Sequence, residues 1–399
     1  MRLTSRPKVD DGDGQRSTTA EETLRRVEPL SRKAGITRVA DITRLDRIGI
    51  PVFSSIRPEA GTGAISVYNG KGLTETQARV SAIMEGIERY SAELRDDLVE
   101  RKLTLRAKGA LDPNELILPR PVQGALSSRP VALVKGYDIA NGHDLLVPCS
   151  AVFHPYFSDK DLMLFRTNTN GLASGNNMEE AVLHGICEVV ERDAWSLCEA
   201  RRAVLGDLDL TDCGPVLRKC IDMFESKGVE LHFKDLTSDV GLPVIGVAAD
   251  DVASKDPGLL TLGIGAHPVP EVAAIKGLVE VAQSRLTQIH GAREDTTRAG
   301  TSRKLGYERM KEMNRMWFHP SIGARALSTM PDLSTDDIKD DIERIIDRLR
   351  KVGLDKVIVY DLTRSELGVP VVRVIVPGLE VYALDQDRVG RRFMEAARR

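Results

Sequence analysis

Apolar and polar positions alternate along this chain with two periods, and the elements they predict are interleaved. Glu21 to Lys33 has the helical period and stops at Gly35. Ile36 to Ile56 alternates around Gly49 and Pro51 as two short strands, and Ala64 to Tyr68 adds another. A helix is expected near Thr74 to Glu93, then hairpin strands at Pro130 to Tyr137 and Asp144 to Cys149 around Ala140-Asn141-Gly142. Further helices are expected at Gly214 to Lys227, Val269 to Ile289, Thr335 to Val352 and Arg388 to Arg398. Strands fall at Val229 to Phe233, Pro243 to Ala249, Leu259 to Ile264, Lys356 to Tyr360 and Val369 to Val376. Thr301 to Ser334 has no clear period, and Trp317, Phe318 and His319 are read as a small satellite cluster. This mixture predicts a mixed α/β (α+β) fold in one composite domain, residues 21–399, behind a flexible polar tail, residues 1–20.

The stretch Asn170 to Trp195 organises the rest. It opens as a Gly- and Asn-rich loop and becomes a helix, with Asn176 or Asn177 as N-cap and Glu179 and Glu180 in the first turn. Ala181, Gly185 and Glu188 stand at offsets of zero, four and seven, so they share one helix face. Glu191 lies one turn beyond Glu188. The pattern recurs: Ala78, Ala82, Glu85, Glu88 and Arg89 match Ala181, Gly185, Glu188, Glu191 and Arg192 position for position. Gly72 and Gly175 each stand six residues before the first alanine. A looser third copy has Ala273, Gly277 and Glu280, with Gln283 in place of the last glutamate. The copies lie roughly a hundred residues apart, too far for a solenoid, so they are expected to be equivalent helices around one shared site.

Composition narrows the function. Of 399 residues, 42% are hydrophobic and 29% charged, with a formal net charge of −3, which gives no whole-chain case for nucleic-acid binding. Apolar runs such as Val371 to Val376, interrupted by Arg373, are too short to cross a bilayer, so no membrane association is expected. The polar N-terminus lacks a secretory h-region, and the cytoplasm is the expected compartment. Five cysteines, Cys149, Cys187, Cys198, Cys213 and Cys220, include no Cys-x-x-Cys pair and resemble neither a zinc site nor a disulfide framework; Cys187 and Cys198, in the central helical stretch, are read as reduced, packed thiols.

The repeated helices bring four carboxylates, and converging carboxylates require cations. Oxygen-only ligands suit Mg²⁺, which commonly joins carboxylates to substrate phosphates. Lys71, Arg89, Arg285 and Arg293 are placed to neutralise a triphosphate. Asn69-Gly70-Lys71-Gly72 ahead of a helix has the look of a phosphate cradle, but it is not a Walker A loop, and a plain strand–turn–helix junction uses the same residues. No His-x-x-x-His pair, Gly-x-Ser-x-Gly elbow or Gly-x-Gly-x-x-Gly fingerprint is present.

Taken together, Asn69-Gly70-Lys71-Gly72, Ser81-x-x-x-Glu85-x-x-Glu88-Arg89, Glu180-Ala181, Glu188-x-x-Glu191-Arg192-Asp193 and Glu280-x-x-Gln283-x-Arg285 resemble the YcaO-domain family over nearly the whole chain from about Arg25. The resemblance implies the YcaO-type fold, with mixed sheets flanked by helices around one nucleotide site, and an enzyme that uses ATP and Mg²⁺ to phosphorylate a peptide amide oxygen. It carries nucleotide contacts to Ser81, Asn176, Glu180, Lys71 and Arg285, and magnesium ligands to Glu85, Glu88, Glu188 and Glu191. Glu85, Glu191 and Arg285 are the residues expected to act in catalysis.

The chain ends without the Pro-x-Pro-x-Pro tail common in azoline-forming members. The resemblance therefore leans to stand-alone archaeal members that thioamidate a glycine of methyl-coenzyme M reductase, often beside a TfuA-like partner. Sulfide or a sulfur-delivery protein is then the expected donor, and a homodimer the expected assembly. An azoline-forming cyclodehydratase, another ATP-dependent ligase activating a carboxylate, and a nucleotide-binding accessory are the alternatives.

Overall fold

The structure, a computed structural model, describes residues 1–9, 15–94, 102–104, 107–123, 125–126, 129–293 and 298–398. Three sheets make up the fold. Strands β1 (Arg38–Asp41), β2 (Val52–Ile56) and β3 (Val67–Lys71) form the first, in that order and antiparallel. The second has β4 (Lys102–Thr104), β5 (Val131–Asp138), β6 (His143–Pro148), β7 (Leu172–Ser174), β13 (Ile358–Asp361) and β14 (Val371–Ile375). Its order is β4-β5-β13-β14-β7, with β6 also paired to β5. The third runs β11 (Thr261–Ala266), β10 (Val244–Asp250), β9 (Glu230–Asp235), β8 (Gly206–Asp209) and β12 (Ala324–Ala326). The mixed α/β reading of the sequence is what the structure has.

Three edge strands, β3, β7 and β11, each lead into one of the repeated helices, Glu75–Ala92, Met178–Arg201 and Pro270–His290. The helix starts are set locally. Thr74 caps the first by accepting from Gln77 N at 3.1 Å, Asn177 caps the second by accepting from Glu180 N at 2.9 Å, and proline opens the third.

Glycines of each lead-in segment lie against the backbone of the helix that follows. A side chain on Gly70 would put its Cβ 1.9 Å from Ala82 N, and one on Gly72 would lie 2.6 Å from Ala78 N. Gly175 stands in the same relation to Ala181 N, at 2.5 Å, and Gly265 to Gly277 N, at 2.7 Å. Backbone therefore lies against backbone in all three units, and Gly70-Lys71-Gly72 belongs to this packing rather than to an open amide cradle.

Several short elements differ from expectation. β7 lies inside the Gly- and Asn-rich stretch read as loop, and β8 and β12 were not anticipated. Trp317 and Phe318 are no satellite: they are buried in the same core as Ile186, Val190 and Ile342. The C-terminal helix is confined to Arg391–Ala396. The N-terminal segment, expected to be a tail, makes specific contacts where it is described. Thr4 N–H donates to Glu179 at 2.7 Å, Lys8 pairs with Asp341 at 2.6 Å, and Ser17 N–H donates to Glu180 at 2.7 Å. Part of the acidic run, residues 10–14, lies outside the described residues.

Candidate nucleotide and magnesium site

The three strand–helix units enclose a cavity of about 850 Å³, within the usual size range of small-molecule sites. Glu85, Glu88, Glu188 and Glu191 all line it, as do Lys71, Ser81, Arg89, Asn176 and Arg293. Helical spacing explains the gathering: each glutamate follows its small-residue face by one or two turns, where the helix clears the strand edge.

The units are tied to one another across the cavity. Ser174 on β7 donates to Glu88 on the first helix at 2.7 Å. Lys71 on β3 pairs with Glu280 on the third helix at 3.1 Å, and Gln283 Nε2 donates to Asn69 O at 2.7 Å. Glu280 and Gln283 occupy the third copy's glutamate positions and also line the cavity.

Electrostatics distinguish the carboxylates. Burial and the neighbouring Glu85 charge push the Glu88 carboxyl well above the ordinary carboxylate range, despite the Ser174 hydrogen bond. Burial likewise raises Glu188, with Arg192 and Arg89 pulling back, and lifts Glu191 to about 7. Glu280 goes the other way: burial opposes ionisation, but Lys71 and Arg192 hold its carboxyl below the usual value. Arg89 donates to Glu85 from Nε at 2.8 Å, and Arg192 lies 3.4 Å from Glu191 while its buried Nε has no partner. A set of buried acids that resist ionising side by side, acceptor-only once ionised, fits a hard divalent cation, which displaces their protons on binding.

Two expected residues lie elsewhere. Arg285 is fully buried away from the cavity, with Nε donating to Asp46 at 2.7 Å and Nη2 to Asp251 at 3.1 Å. It follows Gln283 by two positions, about 200° around a helix, so the cavity side of the helix cannot carry both. Glu180 stands behind Asn176 rather than on the wall. Its carboxylate accepts from Ser17 N–H, from Asn176 N–H at 2.9 Å and from Asn176 Nδ2 at 3.0 Å.

Sequence reasoning passed over Ser174 and Lys276 and reads His184 as a packing or polar-face residue; all three stand on the cavity wall. Ser174 had a signal, because it precedes Gly175 as Lys71 precedes Gly72. Among the described residues no cysteine lines the cavity, and burial pushes the Cys187 and Cys198 thiols up to about 12. No helix among the described residues is long and apolar enough to cross a membrane.

Comparison with known proteins gives the same picture. The family model described as YcaO cyclodehydratase, ATP- and Mg²⁺-binding, matches residues 69–380. A YcaO from Methanopyrus kandleri, solved with AMPPCP and Mg²⁺, is 34% identical, with a TM-score of 0.79 over 98% of both chains. An uncharacterized protein of Methanothermobacter thermautotrophicus is 49% identical over 93% of this chain and 97% of its own length. A Rhizobium leguminosarum bv. trifolii protein described as lying in the tfuA 3′ region is 34% identical over 92% of this chain and 89% of its own. The chain belongs to the YcaO family. It has that family's fold and its ATP- and Mg²⁺-binding domain.

Proposed function

We propose that this protein activates a peptide backbone amide with ATP and replaces the amide oxygen by sulfur, giving a thioamide on a glycine of methyl-coenzyme M reductase. The observation that carries the activation step is the cluster of Glu85, Glu88, Glu188 and Glu191, flanked by Arg89 and Arg192 in one cavity. These four glutamates would hold Mg²⁺, which supplies charge neutralisation for the triphosphate. Lys71, Arg89, Arg192 and Arg293 orient the phosphates, and Ser81 and Asn176 offer polar contacts to the nucleotide.

The amide oxygen takes the γ-phosphoryl group and ADP leaves. Hydrosulfide adds to the amide carbon, and the carbon–oxygen bond breaks with release of inorganic phosphate. Positioning and charge neutralisation are what phosphoryl transfer asks of a protein, and this cavity has both. Sulfur comes from sulfide or a delivery protein, because no cysteine among the described residues faces the site. The tfuA-region relative supports a TfuA-like partner, and a homodimer is the proposed assembly.

A second reading, azoline formation by a Cys, Ser or Thr of the substrate, is favoured by the cyclodehydratase description of the matching family. One assay separates the two. The protein is incubated with ATP, Mg²⁺, sulfide and a glycine-containing peptide lacking Cys, Ser and Thr, and the peptide is weighed by mass spectrometry. A gain of sulfur minus oxygen that depends on sulfide and survives replacement of all five cysteines is the expected result. Loss of water from a Cys-containing peptide, without any sulfide requirement, would overturn it in favour of ring formation.

A further inference from the structure

Behind the wall of the nucleotide cavity lies a second, much smaller one of about 60 Å³. The two share a partition. Thr169 and Leu172 line the large cavity, while Asn168 and Asn170 line the small one together with Ser150, Arg373 and Arg388.

The two arginines are unusual in how they are held. Arg373, on β14, is 2% exposed and donates only to backbone carbonyls: Val152 O at 2.9 Å, Asn170 O at 2.7 Å and Asn168 O at 2.9 Å. Arg388, 6% exposed, donates to Ile117 O at 2.9 Å and Leu116 O at 2.5 Å, and its guanidinium lies 3.9 Å from the centre of the Phe165 ring. Among the described residues neither has a carboxylate at ion-pair distance. The one acidic side chain on the cavity wall, Glu115, is taken by Lys356 at 2.6 Å. Burial pulls both guanidinium groups down to about 10, which still leaves them charged at neutral pH. Carbonyl dipoles and a ring face soften this burial, and the carboxylates that act on the pair, Glu188 and Glu88 on Arg373 and Asp385 and Glu380 on Arg388, stand beyond ion-pair distance, so both cations are buried with no counter-charge in contact, which is costly.

Other unmet groups face the same space. Ser150 is 2% exposed and its Oγ has no hydrogen-bond partner. The buried Oδ1 of Asn170 is also unpartnered, and turning that amide over presents Nδ2 instead. By the measure in which one water needs about 10–15 Å³, the cavity has room for a single-atom anion with accompanying water. Five of the guanidinium N–H groups are already committed to carbonyls, so an oxyanion demanding many donors is poorly served.

We propose that this cavity binds a small monovalent anion, a halide or hydrosulfide, between Arg373 and Arg388 with Ser150 Oγ donating to it. The site itself rests on this geometry alone; hydrosulfide as its occupant during turnover rests in addition on the sulfur-addition reading above.

The test uses the full chain, freed of halide by dialysis into sodium gluconate. Crystals soaked in sodium bromide are expected to show an anomalous peak between the two guanidinium groups and Ser150. In solution, the melting temperature should rise saturably with sodium bromide at constant ionic strength, and Ser150→Ala should weaken that response about tenfold, as loss of one hydrogen bond to a charged partner does. Adding sodium hydrosulfide to the soak separates the sources: displaced bromide assigns hydrosulfide, and an unchanged peak assigns halide, both upholding an anion site. Absence of a bromide peak there, or an identical response to gluconate, overturns the proposal. Bromide bound in a protein that makes no thioamide would sink the sulfur-addition reading and leave the anion site standing.

Discussion

Glu191 and Arg285 came from the same kind of motif, yet the fold uses them differently. Glu191 is held in the cavity with a carboxyl that burial lifts to about 7. Glu191→Gln and Glu85→Gln should each lower peptide-dependent ATP turnover by about a hundredfold or more, the scale seen when one charge-stabilising group is lost. The fold should survive, since neutralising one acid of a crowded set relieves repulsion. Phosphate release and thermal melting check both halves, and wild-type turnover in either variant would remove that residue from the site. Arg285→Ala should instead strip the buried counter-charge from Asp46 and Asp251 and destabilise by about 3–5 kcal/mol. ATP affinity of the folded protein should change little, as read by calorimetry below the melting transition. The same network fixes a pH dependence. Burial opposes ionisation of Asp251, but Arg47, Ser254 and Arg285 bring its carboxyl to about 2. A folded value below the unfolded one means stabilisation that is complete above about pH 4 and lost as pH falls through 2, on the order of 2 kcal/mol. Urea unfolding at pH 5 and pH 3 should show a larger drop for wild type than for Asp251→Asn.

At the scale of elements, the glycines decide how closely helix and strand approach. At Gly70 the obstacle to a methyl group is the backbone of the following helix, 1.9 Å away, which cannot move alone. At Gly185 it is one methyl of Val374 at 2.5 Å, with Val374 Cβ and Gly171 O farther off at 3.1 and 3.2 Å, so a smaller shift suffices, and alanine gains about 1 kcal/mol of helix propensity. Gly70→Ala should therefore destabilise by several kcal/mol and Gly185→Ala by much less, measured as denaturation midpoints; the reverse order would refute this packing account. The same elements show what was legible in the chain. The long helices and the β9, β10 and β11 strands carry strong periods, and the matched glutamate motifs announced a shared site. β7 was not legible, because three residues are too few to show alternation and their Asn/Gly surroundings read as loop. Trp317 was misplaced because the core it joins, which also holds Ile186 and Ile342, is assembled from residues distant in sequence. Arg285 was misplaced for a different reason: counting around the helix from Gln283 would have turned it away from the site.

Over the whole molecule, the cavity belongs to no single sheet. Each of the three sheets sends an edge strand and its helix toward it, and the units touch through Ser174–Glu88, Lys71–Glu280 and Gln283–Asn69. The buried acids Glu88, Glu188 and Glu191, gathered on the cavity wall from the first two of the repeated helices, resist ionisation. On the proposed reading, magnesium with nucleotide would supply positive charge to these acids and negative charge to Lys71, Arg89 and Arg192, so one ligand would satisfy groups of the first two units, to which the third is tied through Lys71–Glu280. A ligand that binds only the folded state stabilises it by about 2.7 kcal/mol at a hundred times its Kd. The nucleotide analogue AMPPCP should thus raise the melting temperature strongly with Mg²⁺ and only weakly in EDTA, and Glu85→Gln should blunt the magnesium-dependent part. Hydrogen exchange locates the effect. Added together, Mg²⁺ and AMPPCP should slow exchange in Lys71–Arg89, Gly175–Arg192 and Lys276–Gln288 alike, because closing the cavity on its ligand constrains all three helices. Slowing confined to one of these segments would mean that the nucleotide sits on a single unit, and the shared-site architecture would have to be given up.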